Sequence, residues 1–239
     1  MRNFIFGGIK MTDSKAPTLT AQPRMTTKKI ATLAVLAAIA YVVMLIGRIP
    51  VVLFLKYDPK DVIIALAGFI YGPLSAVAVS VVVSFIEMLT VSTTGPIGLI
   101  MNVVSTCSFV CIASLIYKKR RSMSGAIIGL VIGAIAMTVI MMLWNYLITP
   151  IHMGYPRGQV AAMLVPTFLP FNLLKSGLNA ALTILIYKPV VGGLRKARLL
   201  PEKESAESAA RGRKFGALVF GVFLLAACVL LLLVFKGII

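Results

Sequence analysis

Residues 62–89, Val62-Ile63-Ile64-Ala65-Leu66-Ala67-Gly68-Phe69-Ile70-Tyr71-Gly72-Pro73-Leu74-Ser75-Ala76-Val77-Ala78-Val79-Ser80-Val81-Val82-Val83-Ser84-Phe85-Ile86-Glu87-Met88-Leu89, carry a single charge, Glu87. A run this long and apolar exceeds the roughly 20 residues that cross a hydrocarbon core of about 30 Å. It reads either as one long helix or as two helices broken at Gly72-Pro73. Proline in the first turn of a helix, with glycine just before it, favours the break. The two readings place the rest of the chain on opposite sides of a membrane, so the charges of the other loops choose between them.

Further apolar blocks lie at about 30–47, 97–117, 126–147, 171–187 and 215–235. If 62–89 is two helices, the N-terminal tail, the cluster Lys118-Lys119-Arg120-Arg121 and the segment 188–214 share one side and bring eighteen basic residues to it. The other side holds only Arg48, Lys56, Lys60, Arg157 and Lys236, while Lys175 falls inside a block. A single helix would move the 118–121 cluster across and erase this asymmetry. Because cytosolic loops retain the Lys and Arg excess, the charges predict seven spans, with the N-terminus in the cytosol and the C-terminus outside. The second helix is then about ten residues long and reaches only half-way across at about 1.5 Å per residue. Such a helix has to be enclosed by protein, which implies a bundle with a cavity open on the outer side.

Composition agrees with a chain that lives in lipid. Hydrophobic residues make up 59% and charged residues 13%, about half the charged share of a soluble domain, and the mean hydropathy is +0.99. The net charge of +17 sits in loops, neither on an amphipathic face nor interleaved with aromatics, so it orients the chain in a membrane and gives no nucleic-acid surface. Cys107, Cys111 and Cys228 all lie in apolar blocks. Cys107 and Cys111 are one turn apart but have no neighbouring His or second pair, so they read as packing residues and not metal ligands. There is no HExxH, GxSxG or GxxxxGK[ST] pattern, and the sole histidine, His152, reads as an outer-loop residue. The chain therefore reads as no enzyme, with no catalytic residue, metal or cofactor, and active transport would need an external energy source.

Polar side chains inside the blocks are the candidates for function, because each Lys or Asp at mid-membrane costs about 2.5–3.5 kcal/mol on insertion scales. Asn172, Lys175 and Asn179 share one face of the sixth helix by their spacing. Asn145 follows Trp144 near the outer end of the fifth helix, Asn102 lies in the fourth, and Glu87 is near the outer end of the third. Amides and one ammonium offer donors and acceptors but no base or nucleophile, which suits recognition of a flat, neutral, carbonyl-bearing ligand. A purely structural reading stands beside this one: asparagines that bond a neighbouring helix, and Lys175 paired with Glu87.

Several short motifs then fall in order along residues 28–188. They are Phe54-Leu55-Lys56-Tyr57-Asp58-Pro59, Tyr71-Gly72-Pro73, Thr94-Gly95-Pro96-Ile97-Gly98, Trp144-Asn145 and Pro170-Phe171-Asn172-Leu173-Leu174-Lys175. With them the chain resembles the substrate-binding S components of energy-coupling-factor (ECF) vitamin transporters, most closely the riboflavin-specific ones. The resemblance implies an all-α, polytopic six-helix bundle over 28–190. The segment 1–27 is left as a cytosolic tail, 191–214 as a basic cytosolic linker, and 215–239 as an additional C-terminal transmembrane helix that reads as a lipid-facing appendage.

The resemblance also implies roles. Riboflavin would be a transported ligand and not a cofactor. Asn145, Asn172 and Lys175 would hold the polar edge of its isoalloxazine ring, while Tyr57 and Asp58 would belong to a capping loop; Glu87 and Asn102, polar groups within the apolar blocks, are candidate substrate-binding residues beside them. The partners implied are an ECF module, made of a membrane coupling subunit and two ATPases, and the lipid bilayer. Docking to the coupling subunit would fall on small residues of the first helix, Ala31, Ala34 and Ala38, with Ala37 widening the patch. Two alternatives stay open: an S component for FMN or another vitamin, and a self-sufficient secondary transporter whose candidate coupling carboxylate would be Glu87.

Overall fold

A computed structural model describes residues 26–52, 55–199 and 211–235. Most of the tail expected over 1–27, Phe54 of the capping loop, residues 200–210 of the linker and the last four residues lie outside the described residues. Helix α1 (Thr27–Gly47) begins where the Thr26 hydroxyl accepts a hydrogen bond from the Lys29 amide, the capping geometry that satisfies an otherwise orphan donor. Helix α2 (Lys60–Tyr71) ends at the break expected from the sequence. Gly72 adopts φ +92°, its N–H bonds to the Gly68 carbonyl at 2.8 Å, and Pro73 opens α3 (Pro73–Thr90). Only glycine enters that conformation without a steric penalty.

Helices α4 (Gly95–Arg120) and α5 (Met123–Met153) follow. They approach closely because α5 presents glycines to α4: a Cβ on Gly129 or Gly133 would meet the backbone carbonyl of Ala113 at 2.7 Å or of Phe109 at 2.5 Å. Helix α5 runs past the block read from sequence, so His152 lies in its last turn and not in a loop. A short helix α6 (Arg157–Met163), a π-helical turn at Leu164–Phe168 and helix α7 (Leu169–Lys196) continue the chain. Residues 191–196, read as the start of the linker, are therefore helical. Helix α8 (Arg211–Phe235) closes the described chain.

Among the described residues, five helical stretches are long and apolar enough to cross a membrane by themselves: Thr27–Gly47, Pro73–Thr90, Gly95–Arg120, Met123–Met153 and Arg157–Leu194. Their outward faces carry Val35, Val82, Phe85, Ile135 and Val139, all exposed, as a surface bathed in lipid requires. The chain is a multi-pass, all-α membrane protein. The apolar part of α8, Leu218–Val234, is shorter. Helix α2 is shorter still and lies inside the bundle, with every residue from Lys60 to Phe69 buried among α1, α3, α4 and α7.

Further features depart from the sequence reading. The capping loop contains a small antiparallel hairpin, β1 (Ile49–Val52) with β2 (Leu55–Tyr57), in the register Ile49 to Tyr57, Pro50 to Lys56 and Val52 to Leu55. The last helix is no free appendage: it packs along α7 and buries Cys228 in an apolar cluster with Leu55, Tyr57, Phe171, Leu174 and Leu178. On α1, Ala31, Ala34 and Ala38 face outward, whereas Ala37 is buried against the core and widens no surface patch.

Candidate functional site

The hairpin forms one wall of a cavity that opens to the surface and is lined by both polar and apolar side chains. Helix α7 brings Phe171, Asn172 and Lys175 to it. The turn just before them is π-helical, closed by a bond from the Leu169 amide to the Leu164 carbonyl. Pro166 and Pro170 lack the amide hydrogens of regular α-helical bonds there, and the extra residue in the turn resets the rotation of α7. Asn172 then donates from Nδ2 to the Phe168 carbonyl at 2.8 Å. Across the cavity, Asn145 of α5 donates to the Met141 carbonyl at 2.7 Å and accepts from the Thr149 hydroxyl at 3.2 Å. Both amides are buried and oriented by their own helices. Trp144, Ile97 and Met101 add apolar wall.

The charged groups fall into two clusters, each electrically balanced. In the first, Glu87 of α3 is gripped by the Arg48 guanidinium and the Lys60 ammonium, and accepts from Asn102 Nδ2 at 3.0 Å. Arg48 also donates from Nε to Asp58 Oδ1 at 2.8 Å. Arg48 and Asp58 flank the hairpin, so both of its roots are tied to one carboxylate region. In the second cluster, Asp61 accepts from the Thr106 hydroxyl at 2.6 Å and from Asn179 Nδ2 at 3.1 Å, and its Oδ2 lies 3.8 Å from Lys175 Nζ. Lys175 also donates to Ser105 Oγ at 3.4 Å. Tyr57 donates its hydroxyl to Asn179 Oδ1 at 3.0 Å. Burial, aided by Asp61 and Asp58, pushes that phenol well above its ordinary range and keeps it a donor.

The structure thus gathers Asp58, Glu87, Asn102, Asn145, Asn172 and Lys175 around one cavity. Tyr57 is elsewhere: its ring joins the apolar cluster under the hairpin and its hydroxyl turns to Asn179. Lys175 pairs with Asp61, and the pairing with Glu87 is not formed, because Arg48 and Lys60 occupy that carboxylate. Nor is Glu87 alone as an interior carboxylate; Asp58 and Asp61 are buried as well. Arg48, Lys60 and Asp61 were missed as site residues because they read as loop charges. For Lys60 and Asp61 the signal that could have found them is their position at the head of a helix too short to span, which draws its first residues into the interior; Arg48, at the end of α1, carries no such signal.

A bundle in lipid, enclosing a cavity walled by amides, neutralised ion pairs and apolar rings, defines a solute-binding membrane protein. Residues 28–187 match the family described as ECF transporter, substrate-specific component, and the chain belongs to that family. It is 29% identical over 191 residues to the riboflavin transporter FmnP of Bacillus subtilis, an alignment covering 73% of this chain and 100% of that protein. It is 30% identical over 178 residues to the riboflavin transporter RibU of Staphylococcus aureus, covering 71% and 93%. Among solved structures it resembles the S component of a bacterial ECF transporter at 31% identity and a TM-score of 0.60, covering 70% of this chain and 98% of that one. The family is one of transporter components, and the chain is accordingly not an enzyme.

Proposed function

We propose that this chain is the riboflavin-binding S component of an ECF-type importer, capturing riboflavin at the outer face and passing it to an ATP-driven module. The observation that carries this reading is the convergence of Asn145, Asn172 and Lys175 on one cavity in a chain whose relatives are riboflavin transporters. The isoalloxazine edge alternates carbonyl acceptors with an N–H donor, a pattern that amides and an ammonium complement. Apolar walls such as Trp144 and Phe171 suit the faces of the ring, and the hairpin, with Tyr57 and Asp58 at its end, caps it. The loop charges put the N-terminus and the linker in the cytosol, with six helices, α2 among them, forming the binding domain and α8 crossing once more to the outside.

The partner in this reading is a membrane coupling subunit with two ATPases, met by the exposed face of Ala31, Ala34 and Ala38 on α1. Small residues there permit close helix approach. A secondary transporter would need a carboxylate free to bind its coupling ion, whereas Glu87 is held by Arg48, Lys60 and Asn102. Liposomes test the distinction. The chain alone should bind riboflavin yet fail to accumulate it under a proton or sodium gradient, and should accumulate it once the ECF module and ATP are added. Accumulation by the chain alone would overturn the proposal in favour of the secondary transporter.

A further inference from the structure

Helix α8 lies beyond residue 187, where the family match ends, yet it is built into the wall behind the cavity. It runs antiparallel to α7 and meets it at two points where one partner has no side chain. A Cβ on Gly177 of α7 would lie 2.8 Å from Cys228 Sγ, and a Cβ on Gly221 of α8 would lie 3.2–3.4 Å from the side chains of Leu185 and Ile184. In lipid, where burying apolar surface against another helix gains little over burying it in acyl chains, such close packing is what holds helices together. From this seam Leu225, Cys228 and Leu232 enter the cluster that contains Val51, Leu55 and Tyr57 of the hairpin and Leu174 and Leu178 of α7, and Leu224 packs against it too.

The hairpin consequently has attachments of two further kinds besides the Tyr57–Asn179 hydrogen bond. Its roots are held by ion pairs through Arg48 and Asp58, and its apolar side is held in a cluster that α8 completes. A two-stranded hairpin has little stability of its own and depends on what it packs against. Phe171, Leu174 and Leu178 lie on the same helix as Asn172 and Lys175, so α8 touches elements that line the cavity: the hairpin and α7, and more lightly α5. We infer that α8 is a positioning element for the binding site, clamping the hairpin to α7 and setting how often it lifts from the cavity. The consequence for ligand retention rests on the proposed function, but the clamp itself is tested without ligand.

The test is hydrogen exchange of the hairpin amides, Val51, Val52 and Leu55 to Tyr57, in the ligand-free full-length protein. Leu224→Ala alters only α8 and should accelerate this exchange about fivefold or more relative to Val222→Ala, a change at an exposed position of the same helix. A second arm uses Gly177→Cys, which places a thiol against native Cys228. Oxidation should link the two, as peptide mapping would show, and slow hairpin exchange about fivefold, with reductant restoring it. Failure of the disulfide to form, hairpin exchange unchanged on cross-linking, or equal rates in the two alanine variants would each overturn the inference. Since no riboflavin is present, a chain that proved unable to bind flavin would leave this result standing on its own.

Discussion

The ammonium of Lys175 on α7 and the carboxylate of Asp61 at the start of α2 lie 3.8 Å apart, each buried, and they join the helix bearing Asn172 to the helix enclosed at the centre. Thr106 and Asn179 complete the carboxylate's hydrogen bonds, so the charge is both paired and solvated by protein. Removing one member of such a pair strands the other, typically at about 3–5 kcal/mol. Asp61→Asn should therefore lower the melting temperature of the detergent-solubilised protein markedly. Asp61→Asn combined with Lys175→Met should recover much of the loss, because no charge is then left unpaired. Equal melting of the single and double variants would show that the two groups are not coupled.

Glu87 is the shared anchor of Arg48, Lys60 and Asn102. Glu87→Gln keeps the shape but leaves two cations with only Asp58 between them. Loss of stability and faster proteolysis within the hairpin should follow, and added salt should not restore the parent behaviour because buried pairs are only weakly screened. Limited proteolysis at low and high ionic strength checks this.

The cavity's amides and ammonium should carry part of the ligand affinity. Asn172→Ala and Lys175→Ala should each weaken riboflavin binding by about 1–3 kcal/mol, the cost of leaving a buried polar group unpaired. Titration calorimetry of both variants, with melting temperatures measured in parallel, separates a lost contact from a damaged fold. For Lys175→Ala the fold is also perturbed, since Asp61 loses its cation, so Asn172→Ala is the cleaner of the two.

On α1 the outward and inward alanines make opposite predictions. Ala34→Trp or Ala38→Trp adds bulk to an exposed face and should abolish co-purification with the ECF module while leaving riboflavin affinity close to the parent. Ala37→Trp adds the same bulk to a buried position and should overpack the core by about 1–3 kcal/mol or more, lowering yield and affinity together. If Ala34→Trp behaves like Ala37→Trp, the docking face lies elsewhere.

The parts of this molecule that sequence made legible are those written in local or strongly contrasting signals. Gly72-Pro73 marks the break between α2 and α3 because one residue must reach positive φ and the next lacks an N–H. Asn145, Asn172 and Lys175 stand out because amide and ammonium groups are conspicuous inside apolar blocks, and the structure brings all three to one cavity. Lys60 and Asp61 were illegible for the opposite reason. Placed after Asp58-Pro59, they look like solvated loop charges, and only the three-dimensional enclosure of α2 shows them buried. The hairpin was hidden by Pro50 and Lys56, neither a strand-forming residue. The docking of α8 was hidden because a Leu-rich face suited to lipid looks the same as one suited to another helix; only Gly177 and Gly221, too far apart in sequence to be read together, mark the seam.

Fluorescence titration tests the central claim most directly. Free riboflavin is strongly fluorescent, and a flavin ring held against Trp144 and the other walls of the cavity should be quenched. Adding the purified full-length protein, stripped of bound flavin, to riboflavin should quench the emission to an end point of one flavin per chain, with Asn172→Ala shifting the curve to higher protein concentration. Emission that stays unchanged up to protein concentrations far above that of the flavin, with the protein folded by its melting curve, would contradict the account.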